Sequence, residues 1–269
     1  MGRRRVGGPR KPNGANLDDV IYGFHAVAEA LTAGEPLVHL HVGSDRSREP
    51  VVRRLIEQAR ALKVPVRFEE RDYFARFPYK AHQSVVAFSP PFSYATLDEV
   101  LHADRNGPLL VVVLDHITDP HNVGAIIRTA EAAGAHGVII PDRRAAGINP
   151  TVRKAAAGAS AHLPVARVTN ISQTLRKLKS AGAWIFGADA PGPEGREPQT
   201  QPYTQVDWQG DLALVIGAEG EGLSALVRRE CDYLVHVPML GQIASLNASV
   251  AAAILLYEAV RQRAARGEL

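Results

Sequence analysis

From residue 109 onward, uninterrupted apolar segments alternate with helical ones. The apolar runs are LLVVVLD (109–115), GVIIP (137–141), LPVARV (163–168), AWIFGAD (183–189), LALVIG (212–217) and YLVHVPM (233–239). Helical patterns lie between them, near 122–134, 150–158, 170–182 and 223–230. A strand without polar alternation is buried on both faces, and helical crossovers make neighbouring strands parallel. The spacing therefore predicts an α/β domain on a parallel sheet over 107–269. It ends in the apolar helix GQIASLNASVAAAILLYEA (241–259), whose first turn carries Ser245, Asn247 and Ser249.

A smaller α/β domain is predicted over 17–90. VIYGFHAVAEAL reads as a turn into an amphipathic helix and LVHLHVG (37–43) as a strand. EPVVRRLIEQARALK has helical period, with Val52, Leu55, Ile56, Ala59 and Leu62 on one side. VPVRFEE and SVVAFS are further strands. The two prolines of SPPFSYATLD (89–98) mark a linker, and 91–106 is read as linker and domain entry. The Gly/Pro/Gln-rich segment 190–206 is read as a loop.

The net charge of +3 is unevenly placed. Residues 1–16 hold five basic and no acidic side chains, Arg3, Arg4 and Arg5 among them. Residues 17–92 balance at ten of each sign, and residues 93–269 carry sixteen basic and eighteen acidic groups. A Gly/Pro-rich basic tail of this kind contacts nucleic acid through phosphates, or is a solvated extension. The single cysteine, Cys231, excludes an internal disulfide and fits a reducing cytoplasm. No apolar run reaches the roughly 18–20 residues of a membrane helix, and no apolar core of a secretory signal follows the basic N-terminus. The ten histidines are scattered, so no metal site is predicted.

Ligands of open parallel sheets bind at the carboxyl ends of the strands. Three unusual loops lie there: LDHITDPHNVGAIIRTAEAAGA (114–135), IGAEGEGLS (216–224) and VPMLGQIASLNASV (237–250). Taken singly, each has a plain structural explanation. Asn122 caps its helix, Arg128 pairs with Glu131 at i,i+3, the glycines at 217, 220 and 222 make a tight turn, and Ser245 is an N-cap. The glycine spacing of GAEGEG is wrong for a dinucleotide fingerprint, and it falls late in the sheet.

Taken together, DPHNVGAIIRTAEAAG, VIGAEGEGLS and VPMLGQIASLNASVAAAILLYE resemble, in order and separation, the three motifs of the SpoU (TrmH-like) ribose 2′-O-methyltransferases of the SPOUT superfamily. IYGFHAVAEAL is similar to the opening of the substrate-binding domain fused to many members. Within the family, the likeness is greatest to bacterial RlmB-type 23S rRNA guanosine 2′-O-methyltransferases.

The resemblance implies a C-terminal trefoil knot, an otherwise rare threading, and a pocket for S-adenosylmethionine. Carried over by motif, that pocket uses Gly217, Val237 and Leu246, with Ile216, Gly187, Met239 and Gln242 as neighbours. The implied catalytic set is Arg128, Asn122, Glu219, Ser245 and Asn247. The family's central arginine has been given the role of base. A guanidinium stays protonated, so holding the RNA phosphate and stabilising the developing 2′-oxyanion is the simpler role for Arg128. Arg143, Arg144, Arg153 and Lys154 form a local basic cluster and, with the tail, are the expected RNA contacts. The implied partners are large-subunit rRNA or a pre-ribosomal particle and, through the C-terminal helix, a second copy of the chain. Alternatives are a tRNA or antibiotic-resistance rRNA 2′-O-methyltransferase, or a non-catalytic RNA-binding ribosome-assembly factor on the same scaffold.

Overall fold

The computed structural model describes residues 19–77, 82–103, 107–191, 200–218, 220, 222–243 and 245–268. The chain divides after Phe92 into two compact units.

The first unit is a four-stranded sheet with helices on it. In chain order it contains β1 (Val20–Tyr22), α1 (Phe24–Thr32), β2 (His39–Gly43), α2 (Pro50–Ala61), β3 (Val66–Glu69), α3 (Arg71–Phe74) and β4 (Val85–Phe88). The strand order is β1-β4-β2-β3, with only β2 and β3 parallel. Pro50 starts α2, and Val52, Leu55, Ile56 and Ala59 form its buried stripe. Leu62, expected on the same stripe, is 48% exposed because the helix ends at Ala61. Alternation puts Leu40, Val42, Val85 and Ala87 under α1 and α2, while Val86 and Phe88 pack with Phe74 and Phe77 on the other face. Two elements, β1 and α3, are too short for a periodic signal and were not expected.

The second unit contains α4 (Leu97–Leu101), β5 (Leu110–Asp115), α5 (Pro120–Ala132), β6 (Gly137–Pro141), α6 (Pro150–Ala156), β7 (Val165–Val168) and α7 (Ile171–Ser180). It continues with β8 (Trp184–Ala188), β9 (Gln201–Pro202), β10 (Leu212–Gly217), α8 (Ala225–Glu230), β11 (Tyr233–His236) and α9 (Ala248–Arg266). Its seven strands run β7-β6-β5-β10-β8-β11-β9, and every pairing is parallel. Leu109, Val111, Val113, Ala213 and Val215 pack on one face with Val100, Leu175, Leu178 and Val227. Alternate residues point to the opposite face, the side of α5, α6 and α9. Two corrections fall here. Within the segment read as linker and domain entry, Leu97–Leu101 form α4, because Thr96 and Glu99 form a capping box, with bonds of 2.6 and 3.2 Å. The segment read as a loop contributes the two-residue edge strand β9.

The last helix is locked at its C-terminal end. Buried Arg263 donates to the carbonyls of Pro108 (3.1 Å), Leu109 (2.9 Å) and Gly210 (2.8 Å), which precede β5 and β10. Burial pulls the Arg263 pKa below its ordinary value, with the coulombic influence of Glu268 and Asp211 opposing the shift. Gln262 bonds the Val206 carbonyl and the backbone N–H of Trp208, a fully buried ring stacked on Phe186. With its last turns at the amino ends of β5 and β10, α9 presents its N-terminus toward their carboxyl ends. This arrangement is consistent with the threaded C-terminus that the resemblance implies. Among the described residues, no helix is long and apolar enough to cross a membrane.

Candidate active site

β5 and β10 are hydrogen-bonded neighbours, yet the chain continues from β5 to β6 on one side and from β10 to β11 on the other. Such a reversal opens a crevice at the carboxyl ends of the two strands. Asp115 and Gly217 stand opposite each other at that edge.

Asp115, 1% exposed, ties two loops together. Its Oδ1 is 2.6 Å from His116 Nδ1, and its Oδ2 accepts from the Ser224 backbone N–H at 2.8 Å. His116 has φ +61°, a left-handed conformation that residues with a side chain seldom adopt. Neither Asp115 nor His116 stood out in the sequence, although an acid ending an otherwise wholly apolar strand was a signal available there.

The helix after β5 is capped by Asp119, whose carboxylate accepts from the His121 N–H at 3.0 Å. Asn122 is therefore not the cap; it lies buried in the first turn, 5% exposed. Its Oδ1 accepts from Asn247 Nδ2 at 2.9 Å, a contact between residues 125 positions apart. Asn247, not Ser245, caps α9: its Oδ1 accepts from the backbone N–H of Ser249 (2.9 Å) and Val250 (3.4 Å) and from Ser249 Oγ (2.6 Å). The helix therefore begins at Ala248 rather than near 241, and Ser245 is an exposed residue of the preceding loop. One polar side chain of the last motif thus serves its own helix and the first motif at once.

Arg128 is exposed on α5, and among the described residues it makes neither the i,i+3 pair with Glu131 nor any other ion pair. The structure brings Asn122 and Asn247 together but does not bond Arg128 to them. Glu219 and Arg3, Arg4 and Arg5 lie outside the described residues.

Gly217 ends β10 under a tight loop in which Ala218 and Gly222 exchange both backbone hydrogen bonds, at 3.1 and 2.9 Å. A Cβ on Gly217 would stand 2.3 Å from the Gly222 carbonyl carbon, so only glycine permits this fold-back. The loop rests on Asp189, which forms a largely buried ion pair with Arg228. Gly187 lacks a side chain for a different reason: a Cβ there would lie 2.6 Å from Cys231 Sγ and 2.7 Å from Leu223 Cδ1. Burial pushes the Cys231 thiol up to about 12, so it stays protonated and is a packing group rather than a nucleophile.

The loop after β11 combines apolar side chains with open backbone groups. Val237, Met239 and Leu246 are half-buried, Gln242 is exposed, and Ile216 is buried in β10 below. Among the described residues, no backbone–backbone hydrogen bond uses the N–H or C=O of 237–243, 245 or 246. Apolar walls with unclaimed backbone donors and acceptors fit a purine and its ribose.

Of the basic cluster, Arg143, Arg144 and Lys154 are exposed. Arg153 is not a surface cation: it is 9% exposed. It shares the α6 side that holds Val152 and Ala156, and Gly124 lets α5 approach α6 so closely that a Cβ there would lie 2.4 Å from Ala155.

Residues 109–257, which contain all three loops, match the sequence model of the SpoU rRNA methylase family. The chain belongs to the SpoU methylase family. It is accordingly an RNA methyltransferase, and residues 20–95 match the segment described as RNA 2′-O ribose methyltransferase substrate binding. A Bacillus subtilis protein named for the TrmH family of tRNA/rRNA methyltransferases is 40% identical over 252 residues, covering 93% of this chain and 98% of that one. Among solved structures, the SpoU methyltransferase AviRb of Streptomyces viridochromogenes, in complex with AdoMet, superposes with a TM-score of 0.66 at 30% identity, covering 91% of this chain and 90% of that one. An AdoMet-bound rRNA methyltransferase of Sinorhizobium meliloti gives 0.61 at 28% identity, with coverage of 90% and 86%. The SpoU fold of the second unit is thus an α/β parallel-sheet domain preceded by an α/β RNA-binding unit.

Proposed function

We propose that this chain methylates the ribose 2′-hydroxyl of a guanosine in large-subunit rRNA, using S-adenosylmethionine, as a cytoplasmic homodimer. The observation that carries the reading is the Asn247–Asn122 hydrogen bond, which joins the third motif to the first across the β5/β10 crevice. The cofactor supplies a methyl already activated by a positive sulfonium. The protein's remaining tasks are to align the 2′-oxygen and to manage its proton. Gly217, Val237, Leu246 and their neighbours Ile216, Gly187, Met239 and Gln242 form the cofactor pocket. Arg128, exposed and without an ion pair among the described residues, holds the RNA phosphate and stabilises the oxygen as it loses its proton. Asn122, Asn247 and Ser245 orient the ribose, and Glu219 orients Arg128 or the substrate. Arg143, Arg144 and Lys154, together with the tail, meet the RNA backbone. A substrate-binding unit ahead of the methylase unit favours rRNA over tRNA. A purely RNA-binding scaffold would not require the whole polar set.

The dimer reading rests on apolar exposure around the site: Leu240 is 98% exposed, Ile243 66%, Tyr257 50% and Val250 47%. A second copy packed on α9 and the preceding loop would cover such a patch. Light scattering at micromolar concentration is expected to give twice the chain mass of 29.0 kDa; a monomeric mass overturns it. The function is tested with tritiated S-adenosylmethionine and protein-free large-subunit rRNA, small-subunit rRNA and bulk tRNA. Label in one large-subunit guanosine is the expected result. Label only in tRNA or small-subunit rRNA transfers the reading to that RNA. No label despite cofactor binding points to an assembled particle, and no label without cofactor binding favours the non-catalytic scaffold.

A further inference from the structure

Beside the crevice, the sheet ends in the order β5, β6, β7, and the carboxyl end of the edge strand β7 forms one wall of a groove of about 540 Å³. Arg167, Asn170, Gln173 and Lys177 line it from β7 and α7, and Tyr94 and Thr96 from the segment leading to α4. Its size suits one nucleotide. The Arg167 guanidinium lies 4.4 Å from the centre of the Tyr94 ring and is solvent-exposed, a planar cation on which a base can stack. The Tyr94 hydroxyl accepts from the Ile148 N–H at 2.8 Å, so the same ring braces the loop after β6 that carries Arg143 and Arg144. Arg167 and Lys177 are exposed and form no ion pair among the described residues. Of the nearby acids, Glu99 is occupied by the Thr96 N–H and hydroxyl, and Asp98 is exposed on α4.

We infer that this groove is a second RNA subsite, which holds the phosphate and base of a nucleotide flanking the target ribose. This rests on the reading of the crevice as the methyl-transfer site. β7 stands two strands from β5, about 10 Å at the usual strand spacing, or roughly three nucleotides at the 3.4 Å rise of a stacked strand. The three strand ends then form one track: the crevice at β5, Arg143 and Arg144 after β6, and the Arg167–Tyr94 stack with Lys177 at β7. The N-terminus of α7, which follows β7 closely, adds its positive partial charge on the Arg167 side, while Lys177 lines the groove from the last turn of the helix.

The test uses fluorescence anisotropy of a fluorescein-labelled 12-nucleotide single-stranded RNA across 50–250 mM KCl, with the full chain. The double variant Arg167→Ala/Lys177→Ala is expected to bind about tenfold more weakly at 100 mM, and its log–log salt slope should fall by about 0.7, the contribution of one phosphate contact on a single strand. Arg176→Ala, on the same helix but paired with Glu230, should match wild type. For protein-free rRNA, the double variant's KM should rise with kcat and cofactor affinity unchanged. Equality of the double variant with Arg176→Ala overturns the subsite, as does a reduced slope with unaltered KM. Absence of methyl transfer by wild-type protein would instead sink the proposed function, leaving the groove to be decided by the binding arm.

Discussion

Alanine at position 128 is expected to lower single-turnover methyl transfer by about 10²–10³-fold, the usual effect of removing one donor to a developing oxyanion, while S-adenosylmethionine affinity stays at the wild-type value. Arg128 is exposed and lacks an ion pair among the described residues, so its loss removes no internal support and the melting temperature should not move. That separation gives the experiment its force. Lysine at the same position keeps the charge but loses the planar two-pronged fork, and is expected to recover only part of the rate. Rapid-quench transfer of tritiated methyl to rRNA, paired with calorimetric titration of the cofactor, reads both quantities. Undiminished turnover removes Arg128 from the mechanism; lost cofactor binding moves it into the pocket.

The second large effect is at Gly217. Valine there is expected to reduce cofactor affinity beyond detection, because even the first carbon of a side chain would lie 2.3 and 2.4 Å from the Gly222 carbonyl carbon and oxygen. The obstacle is backbone, which cannot rotate away, so the 218–222 loop must open and its paired hydrogen bonds must break. Alanine imposes the same collision with less bulk and is the companion variant if valine compromises folding. Circular dichroism establishes that the variant is folded, and calorimetry with S-adenosylmethionine reads the site. Normal affinity in a folded Gly217→Ala protein places the pocket elsewhere.

Much of this architecture was legible along the chain. The central strands β5, β6 and β10 are buried on both faces and apolar but for Asp115 at the end of β5, and a continuous apolar run between helical stretches has few other destinations. The α2 stripe was equally plain, apart from Leu62. The capping box at Thr96 and Glu99 was present in the sequence, but a five-residue helix offers no periodicity to support it, and β1, α3 and β9 are shorter still. The motifs also marked the loops that the Asp115–Ser224 and Asn122–Asn247 hydrogen bonds join.

What they could not reveal was which residues meet. Asn122 has the composition of a helix cap, yet Asp119 takes that place and Asn122 turns inward to Asn247. Arg153 reads as one of four surface cations, yet it is buried on α6 with Val152 and Ala156. Asp115 reaches Ser224 across 109 positions, and Arg263 reaches Leu109 across 154. Hydrophobic periodicity is a property of a few consecutive residues, so the sequence by itself determined the longer strands and helices and the loops between them. The placement of β10 beside β5 depends on the packing of the whole sheet, and only that tertiary arrangement decided which loops form the crevice and which polar groups it pairs.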